Sequence, residues 1–347
     1  MNTNYWPVDK FVDKLENYPQ IQQAADLLAK NEVVAFPTET VYGLGGNAKD
    51  NQAVEKIFAA KGRPSDNPLI IHIAEQVQLA EFVEDISAHA RLLMSHFWPG
   101  PLTIIFPLKK GFLSNKATAG LETVAVRMPD HPVAMAILKA SRLPIAAPSA
   151  NRSGKPSPTT ALHVKEDLDG RIAGIVDGGP TGVGVESTVI DCTSDVPVIL
   201  RPGGVTKEQL EVVVGEVHVD PALADEKEAP KSPGMKYRHY APDAPLYLVD
   251  GTREDIQRLI NEQHREGRKV GVLTTMENEA FYDADYIYAC GERNRLETVA
   301  SSIYEALRSF NKQNVDLIYS EMFPNEGVGN AIMNRLLKAA GQRVIKG

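Results

Sequence analysis

The sequence predicts an α/β protein with two domains joined by a linker. Its 347 residues exceed the usual size of a single hydrophobic core. Helical patterns alternate with short apolar runs in both halves, which indicates a mixed or parallel sheet covered by helices. Between residues 219 and 245 proline and charged residues replace aliphatic ones, as is typical of a linker. We therefore assign 1–218 to a first domain, 219–244 to the linker and 245–347 to a smaller second domain.

The first domain is organised around residues 33–73. Apolar positions in 19–30 recur at helical spacing, and 32–36 then change to a β-rich run. This run leads into a Thr/Gly-rich turn, after which a helix ends at Lys61 and Arg63. Backbone amides freed by glycines and two fixed cations suit phosphate groups, whose oxygens need donors and whose charge needs neutralising. The stretch therefore predicts a polyanion site.

The remaining elements follow from the same periodicity. In the first domain we predict helices at 75–83, 87–97, 131–141 and from 160 onward, and strands at 102–108, 123–128, 143–147, 172–177, 188–192 and 197–200. In the second domain we predict strands at 246–249, 270–274, 286–289 and 317–320, and helices at 253–265, 296–310 and 329–340, which together form a small three-layer α/β domain. The Ser/Pro/Gly-rich run 148–160 is longer than a mere connection needs, which favours a functional loop.

Composition excludes several classes of protein. No apolar run approaches the roughly 20 residues that span a bilayer, and the N-terminus lacks the order of a signal peptide, so we expect a cytoplasmic protein with no membrane partner. The two cysteines, Cys192 and Cys290, are expected to be buried reduced thiols. A net charge of −8 argues against a broad nucleic-acid-binding face but leaves room for a local basic pocket.

Cations at the ends of predicted elements are the candidate anion ligands. Lys61 and Arg63 lie at a helix C-terminus, where they could equally complement the helix dipole. Arg127 ends an apolar strand and needs either an anionic ligand or a partner such as Glu122 or Asp130, because an unpaired buried guanidinium is very costly.

Two further candidates follow apolar strands. Arg201 ends the strand at 197–200, and Ser149 to Asn151 follow the strand at 143–147, where open α/β sheets bind ligands. Turn chemistry alone could also explain these short polar side chains. His72 on its strand is compatible with either a ligand role or a satisfied core residue.

The common phosphate and hydrolase motifs are absent from the sequence. There is no G-x-x-x-x-G-K-[ST], no G-x-S-x-G and no H-E-x-x-H, and the glycines at 43–46 do not form a dinucleotide fingerprint. Cysteine and histidine spacings give no zinc site, so we expect no protein-bound metal. A metal here would be Mg²⁺ carried by a nucleotide.

A set of motifs in a fixed order then points to one family. The motifs are PTETVYGLG, K-G-R-P, NPL-x-x-H, TVAVRMP, APSAN-x-S-G, ESTV, LRPG and SPGMKYRHYAP, followed by a smaller α/β domain. Together they resemble the long form of the YrdC/Sua5 family, the threonylcarbamoyl-AMP synthases, from about residue 21 to the last predicted helix. The resemblance implies a YrdC-like twisted mixed sheet with helices on both faces and a Rossmann-like C-terminal Sua5 domain.

The resemblance also implies an activity. Such an enzyme converts L-threonine, bicarbonate or CO₂ and ATP, with Mg²⁺ accompanying the ATP, to threonylcarbamoyl-AMP and pyrophosphate. The product would pass to a tRNA threonylcarbamoyl transferase complex for t6A modification, and direct tRNA binding by this chain is expected to be weak or absent.

By the same resemblance, two groups of residues bind the substrates. Those expected to hold threonine are Thr40, His72, Arg127, the backbone of Ala147, and Ser187. Those expected to hold ATP are Lys61, Arg63, Asn67, Thr123, Ser149, Asn151, Ser157, Arg201 and Tyr240, with Lys61 and Arg63 also catalytic and Lys61 assigned to the phosphates. Residues 232–242 are the candidate lid over the site.

Three rival interpretations remain open. The chain could be an RNA-binding or regulatory module, although its net charge opposes this. It could adenylate a carbamoyl group from carbamoyl phosphate, as in hydrogenase maturation proteins that contain a similar domain, but those are longer and carry paired zinc-binding cysteines. The second domain could be a separate binding module, in which Asp283 and Asp285 bind a metal or are solvated turn carboxylates.

Overall fold

The computed structural model describes residues 2–223 and 240–347, so most of the candidate lid at 232–242 lies outside the described residues. The chain divides into two compact units. The first contains residues 2–153, 158–182 and 186–223. The second contains residues 240–347 together with two short segments, 154–157 and 183–185, which the sequence had assigned to the first domain.

The described part of the first unit contains these helices and strands. The helices are α1 (Pro19–Ala29), α2 (Asn51–Lys61), α3 (Ala88–Phe97), α4 (Pro132–Ser141), α5 (Ala161–Leu168) and α6 (Lys207–Val214). The strands are β1 (Asn4–Pro7), β2 (Val34–Phe36), β3 (Gly43–Asn47), β4 (Ile71–His72), β5 (Leu102–Pro107), β6 (Thr123–Arg127), β7 (Ile145–Ala146), β8 (Gly174–Asp177), β9 (Thr188–Asp191), β10 (Val198–Arg201) and β11 (His218–Val219).

These strands form one mixed sheet of 11 strands in the order β1-β8-β2-β3-β7-β4-β6-β5-β9-β10-β11. Alternate residues of a strand face opposite sides. In β2, Val34 and Phe36 join a core with residues of α1 and α4, whereas Ala35 joins a core with residues of α2, α3 and α5. The prediction of a mixed sheet with helices on both faces is therefore confirmed.

We predicted a Thr/Gly-rich turn after β2, and this prediction is wrong for residues 43–47. Gly43–Asn47 is a strand that pairs antiparallel with β2 and β7. A Cβ on Gly45 would lie 2.6 Å from Cε1 of Phe36. The glycines are needed for close packing, and the idea that they free backbone amides for phosphate is also wrong, because Gly45 is paired with Val34 in the sheet.

Other differences from the predicted elements are smaller. The helical pattern at 75–83 is a 3₁₀ helix at Gln76–Glu81. Helix α6 and strand β1 were not predicted; β1 is an edge strand with largely exposed side chains, which gives little hydrophobic signal. Ser87 is the N-cap of α3, and its side chain accepts a hydrogen bond from Ala90 N.

The second unit is a parallel α/β layer. Its strands are β12 (Leu246–Asp250), β13 (Val270–Thr274), β14 (Tyr286–Ala289), β15 (Leu317–Glu321) and β16 (Val344–Lys346), and its helices are α7 (Arg253–Arg265), α8 (Leu296–Ser309) and α9 (Gly329–Ala340). The strands form a sheet in the order β14-β13-β15-β12-β16, with every pairing parallel. The predicted Rossmann-like α/β class is confirmed.

Helices cover the second sheet on both faces. Ile256 and Ile260 of α7 pack with Val270 and Val272 of β13, while a Cβ on the intervening Gly271 would meet Phe310, which follows α8, on the opposite face. Across residues 2–223 and 240–347, no helix combines the length and apolar character that crossing a bilayer requires.

Candidate active site

The candidate site begins where three neighbouring strands of the first sheet align. His72 at the end of β4 is paired with Arg127 at the end of β6, and Arg127 is paired on its other side with Thr103 of β5. All three side chains are buried. His72 and Arg127 were both predicted from sequence as threonine-binding residues, and the register of the sheet brings them together.

Arg127 is held by three groups of the protein. Its Nη1 donates to Thr40 Oγ1 at 2.8 Å and its Nε donates to the Gly100 carbonyl at 3.2 Å. Its Nη2 lies 2.5 Å from Oε1 of Glu39 in an ion pair whose two side chains are 4% and 14% exposed. The partners suggested from sequence, Glu122 and Asp130, are wrong: the counter-ion is Glu39, a residue that the sequence analysis did not select.

Glu39 was missed because it lies far from Arg127 along the chain. Glu122 is nearer in sequence, but it pairs instead with Lys110 on the surface. A usable signal was present, since Glu39 is the one charged residue within the apolar and Thr/Gly-rich run at 33–48. A buried guanidinium requires a counter-ion, and Glu39 was a candidate on that ground.

Thr40 is fixed by its neighbour Thr38. The Thr38 hydroxyl donates to the Val41 carbonyl at 2.7 Å, and its oxygen lies 2.8 Å from Thr40 Oγ1. With its own proton committed to Val41, Thr38 accepts from the Thr40 hydroxyl. Thr40 Oγ1 is therefore left to accept from Arg127, so the three side chains form a directed chain of hydrogen bonds.

His72 is neutral. Burial, and then the Arg127 guanidinium, lower the pKa of His72 to about 3. Its Nδ1 lies 3.2 Å from the Ile70 carbonyl oxygen, which can only accept. Nδ1 therefore carries the hydrogen, and Nε2 presents a lone pair that accepts a hydrogen bond.

Ser187 connects the predicted threonine residues to the predicted nucleotide residues. Its hydroxyl lies 2.8 Å from Thr103 Oγ1, on the strand beside Arg127. Arg201 donates to the Ser187 carbonyl from Nε at 3.1 Å and from Nη2 at 2.8 Å. Thr103 was not predicted as a site residue, because threonine is common in β-strands and its presence in an apolar strand gives no sign of a binding role.

Lys61 sits at the end of α2 and holds the loop that carries Ser149 and Asn151. Asp50 caps the start of α2, and Gly62 ends it in the left-handed region at φ 62°. The buried Lys61 ammonium donates to the carbonyls of Ser149 and Asn151, the latter at 2.7 Å, and to Asn151 Oδ1 at 3.2 Å. Burial, followed by the nearby Arg63, lowers the pKa of Lys61 well below its usual value.

The K-x-R and S-x-N pairs are thus in direct contact. Ser149 Oγ donates to Asn151 Oδ1 at 2.6 Å. Because all three ammonium hydrogens of Lys61 have protein acceptors, its first role is to fix the loop at 149–151. Its assignment to the phosphates stays a prediction.

The other predicted nucleotide residues are more dispersed. Arg63 Nη2 lies 3.5 Å from the Pro68 carbonyl, beside Asn67, whose buried Oδ1 has no hydrogen-bond partner within the described ranges. Thr123 is half-buried at the start of β6, the end opposite Arg127. Ala147 was predicted to bind threonine through its backbone. Its backbone N–H donates a hydrogen bond to the Ile70 carbonyl at 3.0 Å.

Ser157 and Tyr240 belong to the second unit. Ser157 is fully buried. Tyr240 has a positive φ of 64° and its ring lies 5.2 Å from that of Tyr304. The assignment of both residues to the nucleotide stays a prediction.

The described residues contain no group of three or more His, Cys, Asp or Glu side chains arranged to hold a metal ion. Three carboxylates lie near these residues: Glu39 pairs with Arg127, and the charges of Asp167 and Glu186 act on Lys61. The guanidinium, ammonium, amide and hydroxyl groups beside them suit phosphate better than Mg²⁺. That Mg²⁺ arrives with ATP, and is not bound by side chains of the protein, stays a prediction.

Comparisons with known proteins find similar sequences along the whole chain. A family model described as "Telomere recombination" (Sua5_yciO_yrdC) matches residues 26–203, and one described as "Threonylcarbamoyl-AMP synthase, C-terminal domain" matches residues 205–341. The chain is 62% identical to the threonylcarbamoyl-AMP synthase of Bacillus subtilis over 346 residues, covering 100% of both. It is 49% identical to the enzyme of the same name from Pyrococcus abyssi, covering 96% of this chain and 97% of the relative.

A solved structure extends the agreement to three dimensions. The crystal structure of P. abyssi Sua5 complexed with L-threonine superposes with a TM-score of 0.93 at 47% identity, covering 99% of this chain and 100% of that one.

Proposed function

Because this chain belongs to the two-domain form of the YrdC/Sua5 family, we propose that it is a threonylcarbamoyl-AMP synthase, using L-threonine, bicarbonate or CO₂ and ATP. The structural observation that carries the proposal is the buried pair of Arg127 and neutral His72 at adjacent strand ends, with Thr40 hydrogen-bonded to Arg127. It supplies a fixed cation for a carboxylate and a hydrogen-bond acceptor for a hydroxyl or amine. A hydroxy amino acid presents these groups.

In this proposal Arg127 binds the threonine carboxylate. Its guanidinium already has a carboxylate partner in Glu39, so its position is set before substrate arrives. The lone pair on His72 Nε2 accepts a hydrogen bond from a donor group of threonine. Ser187 contacts Thr103, which is paired with Arg127 on the side away from His72. Preorganised partners of this kind reduce the entropy cost of orienting the reacting groups.

The reaction needs no protein nucleophile. The neutral threonine amine attacks the carbon of CO₂ and loses one proton to solvent, which gives a carbamate, and a carbamate oxygen then attacks the α-phosphorus of ATP. The α-phosphorus forms a bond to the carbamate oxygen and loses the bond to the leaving pyrophosphate. The protein positions the groups and stabilises charge on the phosphates.

The nucleotide side is assigned to Arg63, Asn67 and Arg201, with the loop at 149–151 held in place by Lys61. Arg201 is anchored on the Ser187 carbonyl by two hydrogen bonds, which supports a position next to threonine. Mg²⁺ would be held by the ATP phosphates and would neutralise part of their charge.

We further propose a cytoplasmic location, transfer of the product to a tRNA threonylcarbamoyl transferase complex, and a lid function for residues 232–242. Full-length similarity to threonylcarbamoyl-AMP synthases favours threonine and bicarbonate over carbamoyl phosphate as the source of the transferred group.

The test is an assay of pyrophosphate release from ATP, with the adenylate detected by mass. We expect both to require threonine and bicarbonate together. Release that needs neither would contradict the proposal. For the RNA-binding alternative, tight and steeply salt-dependent tRNA binding without ATP would be the supporting result.

A further inference from the structure

The second unit contains a cavity that the proposed reaction does not use. It has a volume of about 400 Å³ and lies between the ends of β12 and β15, bordered by the start of α7 and the chain after Glu321. Binding sites for small molecules are typically clefts of about 300–1,000 Å³. The cavity is therefore large enough for a small ligand.

Its place in the fold is where a parallel α/β sheet binds ligands. Strands β12 and β15 are adjacent, with Val249 paired with Glu321. From β12 the chain passes through α7 to β13 on one side, whereas from β15 it passes through α9 to β16 on the other side. The two connections run in opposite directions along the sheet, each passing across the other strand. A crevice at the carboxyl ends of strands whose connections run in opposite directions is the usual ligand position in such sheets.

One arginine, Arg293, is held at this crevice by a buried carboxylate. Glu321 is 6% exposed, and its Oε1 accepts from Thr274 Oγ1 at 2.6 Å, Asn278 Nδ2 at 2.9 Å and Tyr282 Oη at 2.9 Å. Its Oε2 accepts from Arg293 Nη1 at 3.0 Å. Arg293 Nη2 also donates to the Met322 carbonyl at 2.8 Å, so this guanidinium is fixed at two points.

Asn278 extends the same network to the second arginine. Its Oδ1 lies 3.5 Å from Arg253 Nη1, and the Arg253 guanidinium also stacks 4.4 Å from the Phe281 ring centroid. Both arginine side chains are about half exposed, at 48% for Arg253 and 43% for Arg293. Arg253 Nε also pairs with Glu254 Oε1 at 3.0 Å. Both guanidinium groups are thus oriented at the crevice, and a guanidinium can bind phosphate or carboxylate oxygens in a planar, bidentate manner.

The rest of the lining indicates what the anion is attached to. Ile256, Met322 and Phe323 supply apolar surface, and Asp250 places a carboxylate at the exposed end of β12. Apolar walls suit a nucleobase, and a carboxylate at a strand end accepts hydrogen bonds from the hydroxyls of a ribose. The first turn of α7 adds the positive end of a 13-residue helix.

We propose that this crevice is a second ligand site of the chain, specific for a nucleoside monophosphate, with Arg253 and Arg293 on the phosphate and Asp250 on the ribose. The site lies within the second unit and does not depend on the proposed reaction.

The test is isothermal titration of AMP into the full chain and into two variants. Arg253→Gln removes one phosphate ligand without touching the buried Glu321. Arg258→Gln is the matched control, because Arg258 is an exposed arginine of the same helix that pairs with Asp255 and Glu262 and does not line the cavity. We expect Arg253→Gln to weaken the AMP binding assigned to this crevice by at least about tenfold, and Arg258→Gln to bind AMP like the parent.

The same titration in an Arg63→Ala background separates this site from the proposed catalytic site. There, the AMP that remains bound should be lost on adding Arg253→Gln. An unchanged AMP affinity in Arg253→Gln would overturn the proposal. Adenosine binding as tightly as AMP would overturn the phosphate contact, and inorganic phosphate binding as tightly as AMP would overturn the nucleoside contact. Threonine-dependent activity should persist in Arg253→Gln, so this proposal and the proposed catalytic function can fail independently.

Discussion

Glu39 and Arg127 form a buried ion pair, with Oε1 of the carboxylate 2.5 Å from Nη2 of the guanidinium. They are far apart in sequence, and the pair fixes the cation that we assign to the threonine carboxylate. Glu39 is thus a positioning residue that acts through Arg127.

The first prediction concerns this pair. Glu39→Gln should raise the KM for threonine about tenfold, because it removes the carboxylate of a buried ion pair and with it the charge that holds the Arg127 guanidinium in position. The KM for ATP should change little, and Glu39→Asp should restore part of the threonine affinity. Glu122→Gln, which removes a carboxylate from an exposed pair with Lys110, is the control. Equal rises in both KM values would show that Glu39 has only a general structural role.

The second prediction concerns Lys61 and Arg63. Lys61→Ala should abolish pyrophosphate release and also lower the free energy of unfolding by about 1–3 kcal/mol, because the buried oxygens of Ser149 and Asn151 lose their donor. Arg63→Ala should abolish release with a smaller loss of stability. Urea unfolding and the pyrophosphate assay on both variants make the comparison. A Lys61 variant as stable as the parent would contradict the loop-holding role.

The third prediction concerns pH. The pKa of His72 in the folded chain is about 3, below its unfolded value of 6.5. Between these values the unfolded state binds the extra proton, so stability falls as pH decreases below about 6.5, by about 1.4 kcal/mol per pH unit for this group. His72→Asn should show a smaller loss of stability between pH 6.5 and pH 4.5 in urea unfolding. Parallel losses in variant and parent would show that His72 is not buried neutral.

The fourth prediction concerns the glycines of β3. Gly45→Ala should destabilise the protein by about 1–3 kcal/mol, because its Cβ would clash with Phe36. The KM for ATP should remain that of the parent, since Gly45 is paired in the sheet and has no phosphate role. A raised KM for ATP without loss of stability would restore the phosphate role originally assigned to the glycines.

Many helices and strands could be predicted from the sequence because the pattern of apolar residues within each of them is strong. Helices α7 and α9 have the predicted bounds, since each has a clear apolar stripe and a definite end. Strand β3 was missed because glycine opposes strand formation locally, and only the closeness of Phe36 explains its use. Glu39 and Thr103 were missed because their roles depend on the register of strands that are distant in sequence.

Arg127 is the residue assigned to the threonine carboxylate, and the mass-detected assay on Arg127→Ala and Arg127→Lys measures whether adenylate formation depends on it. We expect no threonylcarbamoyl-AMP from Arg127→Ala at threonine concentrations that saturate the parent, partial recovery in Arg127→Lys, and ATP binding retained in both. Product formed by Arg127→Ala with the parent's rate and threonine KM would contradict the account.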